Sequence, residues 1–213
     1  PTLDDPPTGD IEREAVASLR GYAYQVVVAT LAWLDLDDHG RLYLEVAEDY
    51  AMVAEQSLNA VQVKDTAGSG TITLNTQAVK DAIAAFIELV KNNKGRNVHL
   101  RYFTTSPIGA ELKVSDRPGG EPGLKYWRKA AAGASVAPLR AKLTGGNFGT
   151  DVADFVRERT DEELRRDLLQ KIHWDADQED LAGVTRELEE RLVVLGRDRF
   201  GLAAQEARRL KYL

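Results

Sequence analysis

The chain has 213 residues, of which 43% are hydrophobic and 29% are charged, and its formal net charge is −6 at pH 7. This length allows one compact domain, or one domain with a smaller appendage, and the composition is ordinary for a globular protein. No apolar run approaches the roughly 20 residues that a bilayer crossing needs, so we expect no membrane span. The absence of cysteine excludes disulfides, thiolate-bound zinc, iron–sulfur clusters and thiol catalysis. With no signal-like apolar segment near Pro1, we expect a cytoplasmic protein.

Charge is distributed unevenly along the chain. Residues 91–142 carry 11 basic and 3 acidic side chains, a net charge of +8, whereas residues 1–90 have a net charge of −10. Phosphate groups respond to the local field, so a basic middle segment permits nucleic-acid binding by an acidic chain. The alternative is that these basic side chains only solvate a surface, and charge alone does not decide between the two.

The first half of the chain has the periodicities of alternating helices and strands. Residues 1–10, rich in Pro and Asp, predict a flexible lead-in, and Asp10 is a candidate cap for a helix that runs to about Leu34. The predicted buried positions of this helix are Ile11, Ala15, Leu19, Ala23, Val26, Thr30 and Leu34. The next predicted elements are a turn at 35–40, strands at 41–46, 50–54 and 60–64, a loop at 67–70, a helix from Thr76 to about Asn92 and a strand at 97–105. This order predicts an α/β fold with a mixed sheet flanked by helices.

The second half of the chain is predicted to be mainly helical. Between 106 and 150, Gly and Pro are frequent around one short helix. A capping box at Thr160 then begins a helix with Leu164, Leu168 and Ile172 on one face. The last predicted helix, 203–213, ends without a capping residue, which predicts that the natural chain continues beyond Leu213. The expected organisation is a lead-in at 1–10, a main domain at 11–149 and a helical extension, or linker to a further domain, at 150–213.

Three polar residues near the predicted hairpin form a pattern that suits phosphodiester chemistry. Twelve residues separate Asp49 from Gln62, and Lys64 follows two positions later. Residues two apart on a strand point to the same side, so Gln62 and Lys64 share one face. If the two strands pair, a carboxylate, an amide and an ammonium group meet. Carboxylate and amide oxygens are the hard ligands that Mg²⁺ prefers, and a lysine beside them can offset charge on a reacting phosphate.

These residues resemble a known family of nucleases. The spacing Asp49-x12-Gln62-x-Lys64 resembles the D…(D/E/Q)xK signature of the PD-(D/E)XK nuclease superfamily, in the QxK variant of Mrr-like restriction endonucleases. Upstream, Gly21-Tyr-Ala-Tyr-Gln25 resembles the GxxF/Y-E/Q motif of the same group. Downstream, Phe103-Thr-Thr-Ser106 and Ile108-Gly-Ala-Glu111 resemble the CD-NTase-associated effector endonucleases of the Cap four type, used in bacterial anti-phage defence. The resemblance covers residues 11–111, about half of the chain.

The resemblance implies a fold and an activity. The implied fold is a restriction-endonuclease-like mixed sheet flanked by helices, with a C-terminal helical extension. The implied activity is Mg²⁺-dependent hydrolysis of double-stranded DNA, with Mn²⁺ as a possible substitute. The implied partners are DNA and either further copies of the chain, as a homo-oligomer, or a fused sensing or oligomerising domain. The implied role is that of an anti-phage defence effector that assembly activates.

The resemblance also assigns roles to individual residues. It implies that Asp49 is the metal-binding acid, that Gln62 is the second ligand and that Lys64 is the catalytic lysine. Gln25 stands where relatives carry a Glu that completes the metal site, so its amide weakens the negative potential. Further candidates are Glu45, four residues before Asp49, and then Glu48, which is one residue out of register.

The candidate DNA surface is the basic segment 91–142. Hydroxyl groups at the end of the 97–105 strand can donate to phosphates, or they can serve only to satisfy the strand end. The candidate DNA-binding residues are Arg96, Arg101, Thr105, Ser106, Arg128 and Lys129.

Other hypotheses remain open at this stage. The amide of Gln25 and the acidic net charge also fit a catalytically inactive nuclease fold that serves as a DNA-binding or scaffold module. A helical partner-binding protein fits only the second half of the chain. Taken singly, Lys64 can be a lysine that protects a sheet edge, Asp49 a turn residue and Gln62 a half-buried polar group bonded to backbone. The Gly-rich segments lack the Lys-Ser/Thr ending of a phosphate-binding loop, which argues against nucleotide binding.

Overall fold

A computed structural model of the chain describes residues 11–66 and 70–209. The expected lead-in at 1–10, the candidate cap Asp10, most of the expected loop at 67–70 and the end of the last expected helix lie outside these residues. The described elements, in chain order, are α1 (Ile11–Leu34), β1 (Arg41–Leu44), β2 (Tyr50–Ala54), β3 (Ser57–Lys64), α2 (Gln77–Asn92), β4 (Asn97–Thr104), α3 (Gly123–Ala131), α4 (Ala137–Leu143), α5 (Thr150–Arg157), α6 (Asp161–Leu164), β5 (Ile172–Asp175), α7 (Leu181–Phe200) and α8 (Ala204–Ala207).

The five strands form one mixed sheet in the order β1-β2-β3-β4-β5. The pairs β1–β2 and β2–β3 are antiparallel, whereas β3–β4 and β4–β5 are parallel. Parallel neighbours need a crossover connection, and α2 provides it between β3 and β4. The prediction of an α/β fold with a mixed sheet flanked by helices is confirmed at this level.

The sheet separates two hydrophobic cores. Even-numbered residues of β3 and β4, such as Leu58 and Leu100, face the larger core with α2 and the helices that follow β4. Odd-numbered residues of β3, such as Val61 and Val63, face a smaller core covered by α1 and α7. This alternation decides which polar side chains at the end of β3 can meet, because residues two apart lie on one side.

Helix α1 is confirmed, but its predicted buried face is wrong. Leu19 is 70% exposed and Val26 is 40% exposed, whereas Tyr24 and Val28 are buried. The helix carries apolar residues around much of its circumference, so periodicity alone does not fix which side packs. Packing against α7 selects the side, and the Tyr24 hydroxyl donates a hydrogen bond of 2.7 Å to the carbonyl of Glu179.

The predicted helical face through Ile172 is also wrong. The capping box at Thr160 is present, but α6 leads into a π-helical turn at Arg165–Leu169 and then into β5, which pairs with β4. A four-residue strand owes its conformation to this non-local pairing, which local periodicity does not reveal. Residues 150–175 therefore contribute to the main sheet and to the larger core, so the expected division at 150 coincides with no break in either.

No helix in the described ranges is both long enough and apolar enough to cross a membrane.

Candidate catalytic site

The carboxylate of Asp49 is held at the end of the antiparallel part of the sheet. Strand β2 begins at Tyr50, which pairs with Val61, so Asp49 lies beside Gln62 on the neighbouring strand. The Asp49 Oδ2 accepts a 2.6 Å hydrogen bond from the Val63 N–H, as a strand carbonyl would if β2 were longer. Its Oδ1 accepts a 2.9 Å hydrogen bond from Gln25 Nε2 on α1. Two elements distant in sequence therefore fix this carboxylate.

The loop that delivers Asp49 contains two residues in an unfavourable backbone conformation. Glu45 has φ of 57° and Glu48 has φ of 74°, in the left-handed region that side chains other than glycine disfavour by about 1–2 kcal/mol. A 3.1 Å hydrogen bond from the Glu45 N–H to the Asp49 carbonyl closes the loop. Such strain persists where the surrounding structure imposes it, and it is often found at functional sites.

Gln62 and Lys64 project from one face of β3, and Asp49, immediately before β2, lies opposite Gln62 at the end of the strand pair. The Gln62 Oε1 is buried and has no hydrogen-bond partner in the part of the chain that the structure describes. The Lys64 ammonium lies close enough to lower the pKa values of both Asp49 and Glu48 electrostatically. The structure thus brings together the three residues that the sequence singled out, with an unpaired acceptor among them.

Burial changes the protonation behaviour of the two acids at this site. It raises the pKa of the Asp49 carboxyl above its ordinary value, and the Val63 N–H and the Lys64 ammonium oppose that rise. Burial also raises the pKa of the Glu48 carboxyl, and the negative charge of the neighbouring Asp49 raises it further. Both acids have lost hydration, so a cation bound beside them would restore favourable interactions to their charged forms.

The available donor set is smaller than that of an all-carboxylate metal centre. Among residues 11–66 and 70–209, no group of three or more His, Asp or Glu side chains is placed to hold a metal ion. The Asp49 carboxylate and the unpaired Gln62 oxygen remain, and two hard oxygen ligands suit Mg²⁺, which keeps several of its waters. The Glu45 side chain is exposed. Gln25 donates its amide N–H to Asp49, so in this structure it positions the acid.

Hydroxyl groups link the ends of β3 and β4 next to Lys64. Thr66 Oγ1 lies 3.0 Å from Thr105 Oγ1 and 2.7 Å from Ser106 Oγ, and the Thr105 N–H donates to the Lys64 carbonyl. Asp65, whose side chain is 1% exposed, accepts a 2.7 Å hydrogen bond from the Arg20 guanidinium. The hydroxyls of Thr105 and Ser106 are therefore engaged within the protein and hold the strand end that carries Lys64.

The basic residues expected to contact DNA do not form one surface. Arg96 precedes β4 at the end where Asn97 pairs with Ser57, which is the end of β3 opposite to Lys64. Arg101 projects from the other face of the sheet, toward the α1 side.

Three of these basic residues also have partners. Arg101 pairs with Asp175 at 2.7 Å, and Lys129 pairs with Glu121 at 2.6 Å. Arg128 donates a hydrogen bond to a backbone carbonyl of β5. Proximity in sequence therefore does not place these side chains beside the candidate catalytic group.

Tyr102 is a neighbour of the site that the sequence analysis missed. The parallel register pairs Gln62 with Tyr102, whose ring faces the larger core. Burial, and next the charge of Asp49, raise the pKa of its hydroxyl to about 12. The alternation in β4 places Tyr102 on the same face as Leu100, but only the strand register shows that it lies beside Gln62.

Comparisons with known proteins identify no relative. No protein-family model matches the chain, and neither the curated proteins nor the solved structures contain a significant match. Function is therefore inferred from the geometry of the site and from the resemblance of its motifs.

Proposed function

We propose that the chain is a metal-dependent endonuclease that hydrolyses phosphodiester bonds of double-stranded DNA. One observation carries the proposal: the buried oxygen of Gln62 has no partner in the described residues, and Gln62 lies opposite Asp49 and two positions before Lys64 on β3. A buried acceptor without a partner is costly, which favours a site that binds something. The D-x12-QxK spacing supports the same chemistry.

Each residue of the site has a distinct task in this proposal. Asp49 and Gln62 hold Mg²⁺ or Mn²⁺, and the bound ion supplies polarisation of the phosphate and a water of lowered pKa. Gln25 and the Val63 N–H keep the Asp49 oxygens in a fixed orientation. The Lys64 ammonium offsets the negative charge that develops on the phosphate oxygens during hydrolysis.

The proposal extends to the biological setting that the motifs suggest. The resemblance to anti-phage effectors favours a defence nuclease whose activity depends on assembly with further copies of the chain. An uncontrolled nuclease would damage the DNA of its own cell, so a requirement for assembly provides restraint. Exposed apolar side chains on α1 offer a surface for such assembly.

A plasmid-nicking assay on Lys64→Ala tests the catalytic proposal. We expect the wild type to nick supercoiled plasmid in the presence of Mg²⁺ or Mn²⁺, and we expect EDTA to abolish nicking. Loss of the lysine should reduce the rate by about 100-fold or more, because one electrostatic donor at a transition state is typically worth that much. The control is Lys171→Ala, since Lys171 bonds Asn97 and His99 near the opposite end of β4 and should not affect the rate. A Lys64→Ala variant that cleaves as fast as the wild type would contradict the mechanism.

The same assay separates the second candidate function, a catalytically inactive DNA-binding module. The amide of Gln25 and the lack of a third metal-binding acid in the described residues favour this candidate. A wild type that binds duplex DNA but does not nick it with either metal would support the inactive module and contradict the nuclease.

A further inference from the structure

Gln62, Tyr102 and Trp174 lie side by side on three adjacent strands at one level of the sheet. The register pairs Gln62 with Tyr102, and Tyr102 with Trp174. In the described part of the chain, the buried Gln62 Oε1 and Trp174 Nε1 have no hydrogen-bond partner. Tyr102 and Trp174 both belong to the larger core, so the row lies on one face of the sheet and begins beside Asp49.

Elsewhere the fold satisfies buried groups of the same kinds. The indole of Trp127 donates a 3.1 Å hydrogen bond to the Leu169 carbonyl, and the Tyr24 hydroxyl donates to the Glu179 carbonyl. Folded proteins rarely leave such groups unpaired, and a buried group without a partner calls for an explanation. The two unpaired groups belong to Gln62 and Trp174, on the strands on either side of Tyr102, and they indicate that the site extends along this row.

Aromatic packing fixes the Tyr102 side chain. Tyr102 is 2% exposed, and its ring centroid lies 5.7 Å from that of Trp174. Trp174 in turn packs edge-on against Trp127, with centroids 5.5 Å apart. A ring held in this way keeps its hydroxyl in one place, which is the preorganisation that a reacting group requires.

Burial, with the carboxylates nearby, keeps the Tyr102 hydroxyl protonated. Burial raises the pKa of the hydroxyl to about 12, with further contributions from the carboxylates of Asp49 and Asp81. The hydroxyl is therefore a neutral donor at any pH suitable for an assay. Both Asp49 oxygens already accept hydrogen bonds from Gln25 and from the Val63 N–H. In the proposed site the Gln62 Oε1 would bind the metal ion, which leaves an oxygen of a bound ligand as an acceptor for Tyr102.

We propose that the Tyr102 hydroxyl donates a hydrogen bond to a non-bridging oxygen of the phosphodiester group bound at Asp49, Gln62 and Lys64. This inference rests on the proposed nuclease function and adds one residue to its site. The donor stabilises the phosphate as negative charge develops on it and adds no charge of its own to an acidic site.

The Tyr102→Phe variant tests this inference, because it removes one oxygen and keeps the ring that packs on Trp174. We expect the single-turnover cleavage rate at saturating DNA to fall about 10- to 100-fold, within or below the range for loss of one transition-state donor. We expect the dissociation constants for duplex DNA and for Mn²⁺ to change less than about twofold and the melting temperature to be retained. The variant keeps the aromatic ring and leaves the proposed metal ligands Asp49 and Gln62 unchanged. The control is Tyr50→Phe, a buried tyrosine of the other core, which should cleave at the wild-type rate.

Phosphorothioate duplexes give a second readout that a structural role would not change. Sulfur in place of a non-bridging oxygen accepts a hydrogen bond poorly, so one of the two stereoisomers should slow the wild type more than Tyr102→Phe. If both stereoisomers slow the two proteins equally, the assignment to a non-bridging oxygen is overturned.

The outcomes distinguish this inference from the function on which it rests. An active wild type with an equally active Tyr102→Phe variant overturns the inference and leaves the nuclease intact. A Tyr102→Phe variant with a lower cleavage rate that also binds Mn²⁺ more weakly or melts at a lower temperature overturns the inference as well, since Tyr102 would then have a structural role. A wild type that does not cleave with either metal overturns the nuclease proposal and this inference with it.

Discussion

The buried amide oxygen of Gln62 lowers the stability of the fold but is available to bind a ligand. It has no hydrogen-bond partner in the described residues, although its strand is otherwise well paired on both sides. Leaving such an acceptor unpaired costs about 1–3 kcal/mol, and an apolar residue of similar shape would avoid that cost. A protein that retains a glutamine there gives up stability for a group that can bind a ligand.

Gln62→Met should therefore stabilise the fold while removing the proposed metal ligand. Met has a similar length and flexibility, and it carries no oxygen to desolvate. We expect the free energy of unfolding in urea to rise by about 1 kcal/mol. We expect Mn²⁺ binding by calorimetry, and plasmid nicking, to be lost.

The matched control is Gln170→Met. The Gln170 amide donates a hydrogen bond to the Ala131 carbonyl at an exposed position, so its loss should change stability by no more than about 0.5 kcal/mol. If Gln62→Met lowers stability, or binds Mn²⁺ as tightly as the wild type, the Gln62 oxygen is not an unpaired ligand group.

At the scale of elements, the turn between β2 and β3 is formed by residues that disfavour its backbone conformation. The turn consists of Glu55 and Gln56, and Glu55 has φ of 50°. Two-residue hairpin turns with positive φ at the first central position favour glycine there. The glutamate is held in this conformation because β2 and β3 pair over five residues and β3 also pairs with β4.

Glu55→Gly should stabilise the protein slightly. Glycine removes the cost of about 1–2 kcal/mol for a side chain in the left-handed region. The greater conformational freedom of glycine in the unfolded chain opposes this gain by about 0.5–1 kcal/mol. We therefore expect the free energy of unfolding to rise by about 0.5 kcal/mol. Glu55→Ala, which removes the same charge but keeps the Cβ, should show no gain in a parallel urea titration. Equal gains for both variants would assign the effect to the charge and not to the backbone.

The elements that the sequence predicts correctly are those that depend on local interactions. Helix α2 and strands β2 and β4 were predicted because their periodicity is local. The start of β3 at Ser57 was missed, because Glu55 and Gln56 lack the Gly or Asn that usually marks a hairpin turn. Strand β5 was missed because it depends on pairing with β4, which lies about 70 residues earlier.

The same distinction applies to the candidate site. The shared face of Gln62 and Lys64 follows from the two-residue period of a strand, and the hairpin brings Asp49 beside them, as expected. The hydrogen bond from Gln25 to Asp49 joins two elements, and the sequence does not define its direction. The position of Tyr102 requires the parallel register of β3 and β4, a property of the whole sheet.

For the whole molecule, the outer side of α1 is apolar and uncovered. Leu19, Tyr22 and Trp33 are 70%, 59% and 61% exposed, and with Val26 they follow the spacing of a coiled-coil seam. The only charged residue from 19 to 33 is Arg20, which is paired with Asp65, so two copies of this stripe would meet without like-charge repulsion. A symmetric pair needs only one self-complementary patch, which favours a second copy of the chain as the partner.

Leu19→Lys combined with Trp33→Lys should abolish this assembly. The two lysines would have to lose hydration in an apolar seam without a partner of opposite charge, so the mass measured by light scattering should fall from that of a dimer to that of a monomer. Val114→Lys is the control, because Val114 is also exposed, at 66%, but lies far along the chain from α1 and should leave the mass unchanged. A monomeric wild type, or a double variant that remains dimeric, would contradict the proposed pairing. If cleavage requires assembly, the nicking rate per chain should fall together with the dimer fraction, whereas the active-site variants lose cleavage with the dimer intact.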